Sequence, residues 1–370
     1  MLPYTGDYIE HIYNNKNNSK YYTFTPRPLI YGDMYKMDDE LSNLLIEAYR
    51  NIGFLEGLFK YAPNKYAFRE LMLLKECAYS LMIDYDSPTF QDVLVNRGSG
   101  KGNIARIINL ELAYKAAVNR TISAPDLSKL CGIALHGNAV DKMVNVRDEQ
   151  TFLLGIRTNL KAYNPTAPKA VLPALADISA YLYNNQDTDP LVQAALAHYQ
   201  FEMIHPFERY NGIVGRIIVP MILYKTTKEA LSLMCLSEYL YHNKNEYFDL
   251  LRSTQYSGGY IRWIKFFVMA VRDATKWYSE LLRQYEHIII EDMNRLSSNG
   301  IYSKSVIAVY QYLHKFPVTS IAIAAEQTGF SYNTISKIFC TLQDNRILFL
   351  NSENRRNRLF EYRKLIDTLL

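Results

Sequence analysis

One short segment, His205 to Arg216, carries the residue types and spacing best suited to chemistry. It reads His-Pro-Phe-Glu-Arg-Tyr-Asn-Gly-Ile-Val-Gly-Arg. A histidine before a proline ends a helix with its imidazole at a loop mouth, where it can act as a base near neutral pH. Asn211 and Gly212 then open a helix whose N–H groups attract an anion, and Arg216 lies one turn further on. A base beside an anion site suits phosphoryl or nucleotidyl transfer. The alternative is a capped helix–loop–helix with a surface histidine.

The segment resembles the signature of the Fic family, His-Pro-Phe-x-(Asp/Glu)-Gly-Asn-Gly-Arg-x-x-Arg, in ungapped register. This resemblance implies transfer of AMP from ATP to a hydroxyl side chain of a target protein or of the chain itself. It makes His205 the general base and assigns the phosphates to Asn211, Gly212 and Arg216. Phe207 is then a buried anchor of the loop.

Three signature positions are altered. The family's metal-binding acid is Arg209, the following glycine is Tyr210, and the first signature arginine is Ile213. Mg²⁺ prefers hard oxygen ligands, so a guanidinium at position 209 speaks against a metal there. We expect Arg209 to offer its positive charge directly to the diphosphate. Glu208 is a substitute carboxylate, but its register directs it away from the family's metal position.

A second resemblance concerns regulation. The family's inhibitory helix carries (Ser/Thr)-x-x-x-Glu-(Gly/Asn), and the stretch 75–85 resembles it with Ser80 in the first position and Asp84 in place of Glu. In the family this acid pairs with the second signature arginine and blocks the terminal phosphate. Here two interpretations remain open: Asp84 reaches Arg216 despite being one methylene shorter, or it only serves the turn that ends the helix.

The C-terminal part shows a pattern typical of winged helices. Helices predicted at 303–314, 320–328 and 332–343 precede two short strands at 347–350 and 359–362. Asn333 and Lys337 would then face DNA from the recognition helix. Three wing arginines would contact phosphates: Arg355, Arg356 and Arg358. Binding of a protein instead of DNA is the alternative.

The elements that must position these residues are mostly helical. Apolar residues recur at three- and four-residue intervals at 38–52, 68–83, 109–119, 171–183, 190–203, 212–224 and 261–285. The segment 144–155 resembles the family's hairpin over the active site, and the first 25 or so residues are interpreted as an arm. The prediction is a mainly α fold: a Fic-type helical bundle with a small β-hairpin flap, plus a C-terminal winged-helix domain.

We expect three domains. These are an N-terminal helical extension with the inhibitory-type helix (1–108), a Fic core (109–290) and the winged helix-turn-helix domain (300–370). The residues 296–300 read as a linker before the last domain.

Composition excludes several classes of protein. The 370 residues are 49% hydrophobic and 21% charged, which excludes a disordered chain. The net charge of +4 is too small for the whole molecule to be a nucleic-acid binder. Four widely separated cysteines argue against a zinc site or a disulfide scaffold. Because no apolar run is long enough for a signal peptide or a membrane helix, we expect a cytoplasmic protein with no membrane partner. A homodimer is possible.

Two functions remain. The first is a divergent nucleotidyltransferase that uses ATP without the usual metal geometry, which the retained His205 favours. The second is a catalytically inactive Fic-like regulator with a DNA- or protein-binding winged helix, which the lost acid and arginine favour. Transfer of another phosphate-containing group is a weaker third option.

Overall fold

A computed structural model describes residues 4–12, 20–32, 34–97, 102–118, 120–138, 143–152, 164–185, 187–227, 234–351 and 358–370. Helices dominate these ranges, as the sequence predicts. In chain order they are α1 (Asp39–Tyr61), α2 (Lys65–Asp84), α3 (Phe90–Asn96), α4 (Asn103–Ala117), α5 (Ala124–His136), α6 (Pro168–Asn184), α7 (Pro190–Ile204), α8 (Asn211–Thr227), α9 (Leu236–His242), α10 (Lys244–Ser257), α11 (Tyr260–Ser298), α12 (Lys304–Leu313), α13 (Ile321–Thr328), α14 (Tyr332–Asp344) and α15 (Arg363–Leu369). The fold class is therefore mainly α.

Helix α7 forms the centre of the core. Every residue from Leu191 to Ile204 is buried, which marks a helix surrounded by protein on all sides. It starts at Asp189, whose carboxylate accepts a hydrogen bond from the N–H of Leu191 at 2.8 Å. It packs against α6, α8 and the long helix α11, and the indole N–H of Trp263 donates to the carbonyl of Ala195 at 2.7 Å. The end of this helix is consequently well fixed.

Helix α2 crosses the molecule from the C-terminal elements to the loop that carries His205. At its start, the side chain of Asn64 donates to the carbonyl of Gln311 at 3.0 Å, in α12. Midway, the buried carboxylate of Glu76 accepts from the N–H of Ser237 at 2.9 Å and from the hydroxyl of Tyr114 at 2.8 Å. These contacts fix α2 in position along its length.

The N-terminal residues form a hairpin instead of the arm expected from the sequence. Strands β1 (Gly6–Ile12) and β2 (Lys20–Pro26) pair antiparallel, with Gly6 opposite Pro26. The outer edge of β2 bonds further, since the N–H of Phe24 donates to the carbonyl of Asn164 at 3.2 Å. The polar, tyrosine-rich sequence does not indicate this hairpin, because β2 is held by hydrogen bonds to residues far away in the chain.

The predicted flap hairpin has no strand in its described part, 143–152, which runs as a loop. The remainder of that prediction, from residue 153 onwards, lies outside the described residues. The small antiparallel β content of the described chain comes from β1–β2 and from the C-terminal strands.

The C-terminal elements follow the predicted order. Strands β3 (Val318–Thr319), β4 (Phe349–Leu350) and β5 (Phe360–Glu361) form an antiparallel sheet in the order β3-β5-β4 beside α12, α13 and α14. Helix α11 continues through Ser298, so it crosses the boundary expected near residue 290 and includes most of the expected linker. The winged-helix class and the domain limits stay predictions.

Within the described ranges, no helix combines the length and the apolar character needed to cross a membrane.

Candidate functional site

His205 lies at the C-terminal end of α7 in a left-handed backbone conformation, with φ 51°. Its ring nitrogen Nδ1 is 3.0 Å from the carbonyl oxygen of Glu202. Because a carbonyl only accepts, Nδ1 carries the hydrogen and Nε2 keeps its lone pair. Burial lowers the pKa of His205 to about 4, so the imidazole is neutral at pH 7. The side chain is thus in the protonation state that a general base requires.

Asn211 closes the loop between α7 and α8. Its Oδ1 accepts from the N–H of Phe207 at 2.8 Å, and its Nδ2 donates to the carbonyl of the same residue at 2.7 Å. Phe207 is fully buried, as expected of an anchor. Since the Asn211 side chain is used to hold the loop, the first N–H groups of α8 are the donors best placed for an anion.

Arg216 and the end of α2 meet in a buried cluster. The Nε of Arg216 donates to the Ser80 hydroxyl at 2.8 Å, and Nη2 donates to the Ser80 carbonyl at 2.8 Å. Nη2 also lies 2.6 Å from Oδ2 of Asp84. The arginine side chain is 1% exposed and that of Asp84 is 23% exposed. The shorter acid therefore does reach the arginine.

The carboxylate of Asp84 lies over the start of α8. A Cβ atom added to Gly212 would come within 2.6 Å of Oδ2 of Asp84 and 3.0 Å of Nη1 of Arg216. Nη1 has no hydrogen-bond partner among the described residues. The position beside Gly212 thus combines helix N–H groups with an arginine nitrogen, and Asp84 supplies the anion that sits there.

Three polar residues beneath the loop escaped the sequence analysis as functional candidates. The Nδ1 of His198 donates to the Gly215 carbonyl at 2.8 Å, and its Nε2 accepts from the Tyr247 hydroxyl at 2.8 Å. Burial lowers the pKa of His198 to about 4 and raises the pKa of Glu202 to about 8. The spacing 198, 202, 205 on one helix face is the signal that could have revealed His198 and Glu202, whereas Tyr247 lies in α10 and carries no such signal.

We predict that the free energy of unfolding decreases as the pH falls from 6.5 to 4. His198 stays neutral in the folded protein over this range and gains a proton on unfolding, so acid favours the unfolded state. Glu202 contributes to the pH dependence of the free energy of unfolding with the opposite sign. Its raised pKa gives stability that is lost as the pH rises through about 8. His198→Gln should therefore reduce the slope of the acid side in urea unfolding measured at several pH values. The rest of that slope comes from His205 and His314, whose pKa values burial also lowers.

The control for this prediction is His242→Gln, because His242 is exposed. It should retain the wild-type slope. Equal slopes for the wild type and His198→Gln would contradict the prediction.

Of the three altered signature residues, Arg209 and Tyr210 lie in the loop, whereas Ile213 is buried in α8. Glu208 and Arg209 are exposed. Tyr210 has φ 65°, the left-handed conformation that glycine adopts easily, and its side chain is buried. Its N–H donates to the Tyr85 hydroxyl at 3.3 Å and the two rings are 5.3 Å apart. The segment after α2 thereby covers the loop.

The donor set of this loop does not fit Mg²⁺. The position of the family's metal-binding acid holds the guanidinium of Arg209, which repels a cation. In the described part of the chain there is also no group of three or more His, Cys, Asp or Glu side chains that would hold a metal ion.

The predicted nucleic-acid residues lie in the C-terminal elements. Asn333 and Lys337 are exposed on α14, and Arg358 is exposed just before β5. Arg355 and Arg356 lie outside the described residues. A DNA-binding role for these residues stays a prediction.

The fold and the site define a class of protein: a helical bundle in which a histidine-ended helix, a loop and the start of a second helix meet beside a buried arginine. Residues 127–223 match the model of the Fic/DOC family, and this range contains the whole His205–Arg216 segment. The chain therefore contains a segment, residues 127–223, that matches the Fic/DOC family.

Two proteins of similar sequence match a short stretch of the chain. Protein adenylyltransferase fic-1 of Caenorhabditis briggsae is 37% identical over 67 residues, 17% of this chain and 13% of that protein. The protein of the same name from Caenorhabditis elegans is 34% identical over 67 residues, with the same coverage. The chain thus spans about an eighth of the length of these relatives.

A crystal structure of a Fic family protein from Desulfovibrio desulfuricans G20 is similar over most of the chain. The match covers 89% of this chain and 97% of that one, with a TM-score of 0.57 and 19% sequence identity. This likeness shows a shared fold.

Proposed function

We propose that the protein is an adenylyltransferase that moves AMP from ATP to a hydroxyl side chain of a protein, or of itself. One observation carries the proposal: His205 is neutral with a bare Nε2 in the loop that leads into the anion site at Gly212 and Arg216. The matched relatives are named protein adenylyltransferases, which supports the same chemistry for this chain.

The reaction requires one bond to form and one to break. The target hydroxyl oxygen attacks the α-phosphorus of ATP, its proton passes to Nε2 of His205, and diphosphate leaves with the electrons of the broken P–O bond. The N–H groups at the start of α8 stabilise negative charge on the phosphate oxygens. Arg216 adds a charge-assisted hydrogen bond to the same anion.

The described conformation is an inhibited one in this proposal. The Asp84 carboxylate is bonded to Arg216 and lies against Gly212, where the nucleotide's phosphates need to bind. A phosphate and this carboxylate carry like charge, so they exclude each other. Transfer therefore requires Asp84 to leave Arg216.

We predict that ATP binding is indifferent to Mg²⁺. With a guanidinium at position 209, no carboxylate is available at the family's metal position, and Arg209 takes over neutralisation of the diphosphate. Calorimetric titration with ATP should give the same dissociation constant with Mg²⁺ and with a chelator. A strong Mg²⁺ requirement would show that a carboxylate binds the metal after all, and its loss in Glu208→Gln would identify that carboxylate.

The transfer itself is tested by intact mass measurement. The wild type and Asp84→Ala are incubated with ATP labelled at the α-phosphate, with a mixture of candidate proteins and alone. The proposal expects an adduct with the mass of one adenylyl group, stronger for Asp84→Ala. Absence of an adduct from both, and from Arg209→Asp/Tyr210→Gly/Ile213→Arg, contradicts it.

That negative outcome would support the second candidate, an inactive regulator. Two observations favour it: the exposed Arg209 in place of an acid, and the Asp84 carboxylate at the anion site. In this function the C-terminal elements would bind DNA or a protein through the exposed face of α14, with Asn333 and Lys337. A filter-binding assay with double-stranded DNA at two salt concentrations distinguishes the two partners.

A further inference from the structure

A single buried arginine, Arg147, closes the end of helix α7. Its Nε donates to the carbonyl of His205 at 2.6 Å, and its Nη2 donates to the carbonyl of Ile204 at 3.2 Å. Its backbone N–H donates to the carbonyl of Pro206 at 2.9 Å. The residue is 4% exposed. One side chain and one backbone N–H thus hold three consecutive carbonyl groups around the candidate base.

The same side chain ties this end of the helix to the rest of the fold. Its Nη1 donates to the carbonyl of Glu149 at 3.0 Å, and its Nη2 also bonds the carbonyl of Thr166. The Thr166 hydroxyl in turn donates to the carbonyl of Phe24 in β2 at 3.0 Å. The N-terminal hairpin and the loop at 143–152 therefore support the loop of His205 through Arg147.

The chemistry of a helix end explains why an arginine suits this place. The last carbonyls of a helix have no partner within the helix and carry partial negative charge. A guanidinium has five donors in a planar fork, so it satisfies several carbonyls and offsets their charge at once. His205 also has a left-handed backbone conformation, which for a residue other than glycine needs support from its surroundings.

We propose that Arg147 is a positioning residue for the base: it fixes the backbone of His205 so that Nδ1 stays bonded to Glu202 and Nε2 stays bare. This inference rests on the proposed function, in which Nε2 takes the proton of the target hydroxyl. Arg147 itself touches no reacting atom.

The positive charge of Arg147 also helps to keep the imidazole of His205 neutral. Burial is the main cause of the lowered pKa of His205, and the positive charge of Arg147 adds to it. The bond to the Glu202 carbonyl and the charge of Asp84 oppose this lowering. Removal of the Arg147 charge should therefore raise the pKa of His205 towards the ordinary value of 6.5.

The test compares Arg147→Met and Arg147→Lys with the wild type, using ¹⁵N-histidine NMR of the nucleotide-free protein. ¹⁵N shifts distinguish a protonated ring nitrogen from a bare one, and His205→Asn identifies the signals. The wild type should show one tautomer with Nδ1 protonated. Arg147→Met should mix the two tautomers of His205 and raise its pKa. Arg147→Lys keeps the charge but loses the planar guanidinium, so it should mix the tautomers with a smaller rise in the pKa.

Kinetics give a second measurement in the Asp84→Ala background. Misplacement of a reacting group by about 1 Å costs roughly a hundredfold in rate. Arg147→Met should therefore lower kcat on that scale while the KM for ATP stays unchanged, because Arg147 makes no contact with the anion site.

The control is Arg120→Met. Arg120 is partly buried and pairs with Asp126 at 3.1 Å near the start of α5, away from His205 in the chain. It should lower the Tm but leave the His205 signals unchanged. If Arg147→Met also leaves the His205 signals unchanged, Arg147 is merely structural and the inference is wrong. If Arg147→Met does not fold, the His205 signals of Arg147→Lys decide in the same way. Because the NMR needs no nucleotide, it decides even if no transfer is found.

Discussion

Replacing Asp84 with alanine should tighten the binding of ATP by about 10- to 150-fold. In the wild type, a nucleotide has to displace the carboxylate from Arg216, which forgoes a charge-assisted hydrogen bond of about 1.5–3 kcal/mol. In Asp84→Ala the arginine is available from the start. The same change should lower the Tm without nucleotide, because Arg216 is 1% exposed and loses its carboxylate partner. Calorimetry and thermal melts with and without ATP measure both effects.

The matched control is Asp86→Ala, which removes an exposed acid two positions further along the chain. It should alter neither the dissociation constant nor the Tm by a comparable amount. Asp84→Asn keeps the size and removes only the charge, so it should fall between the wild type and alanine. An unchanged dissociation constant in Asp84→Ala would show that the carboxylate does not compete with the nucleotide.

Loss of the imidazole of His205 should reduce AMP transfer about 10²- to 10⁴-fold, the usual contribution of a general base. The variant His205→Asn is preferred because asparagine tolerates the left-handed conformation that this position adopts. Made in the Asp84→Ala background, it should bind ATP as tightly as its parent. The rate of adduct formation by mass spectrometry and the dissociation constant by calorimetry separate the two effects.

His136→Ala is the control, since His136 is exposed at the end of α5. It should transfer AMP at the parent's rate. Transfer by His205→Asn at the parent's rate would exclude His205 as the base and redirect the search to another acceptor of the proton.

The sequence predicted local features of the site well. A histidine before proline ends α7 at residue 204, and Asn211 begins α8, as the spacing indicated. Where a helix begins and ends depends on the types of a few neighbouring residues, so the sequence alone can predict it. The sequence leaves open whether Asp84 pairs with Arg216 or only serves the turn after α2, because reach across two helices depends on their separation and not on residue type.

Features that depend on distant contacts were not predictable from the pattern. Strand β2 gains its order by bonding to Asn164 and Thr166, about 140 residues away. The role of Arg147 required three segments to meet around one side chain. The predicted linker began too early because Leu296 is buried, so the end of α11 packs as part of the fold.

The fixed position of α2 has a consequence for how inhibition responds to concentration. Asp84 belongs to the same chain as Arg216, and the contacts of Glu76 keep its helix docked. A tethered anion of this kind competes at an effective concentration on the order of millimolar or more, however dilute the protein. Inhibition by Asp84 should thus persist unchanged from micromolar to nanomolar protein, whereas a blocking group supplied by a second molecule would be diluted away. A ligand relieves it once its concentration exceeds its own dissociation constant raised by that competition of about 10- to 150-fold, and a movement of α2 relieves it without a ligand.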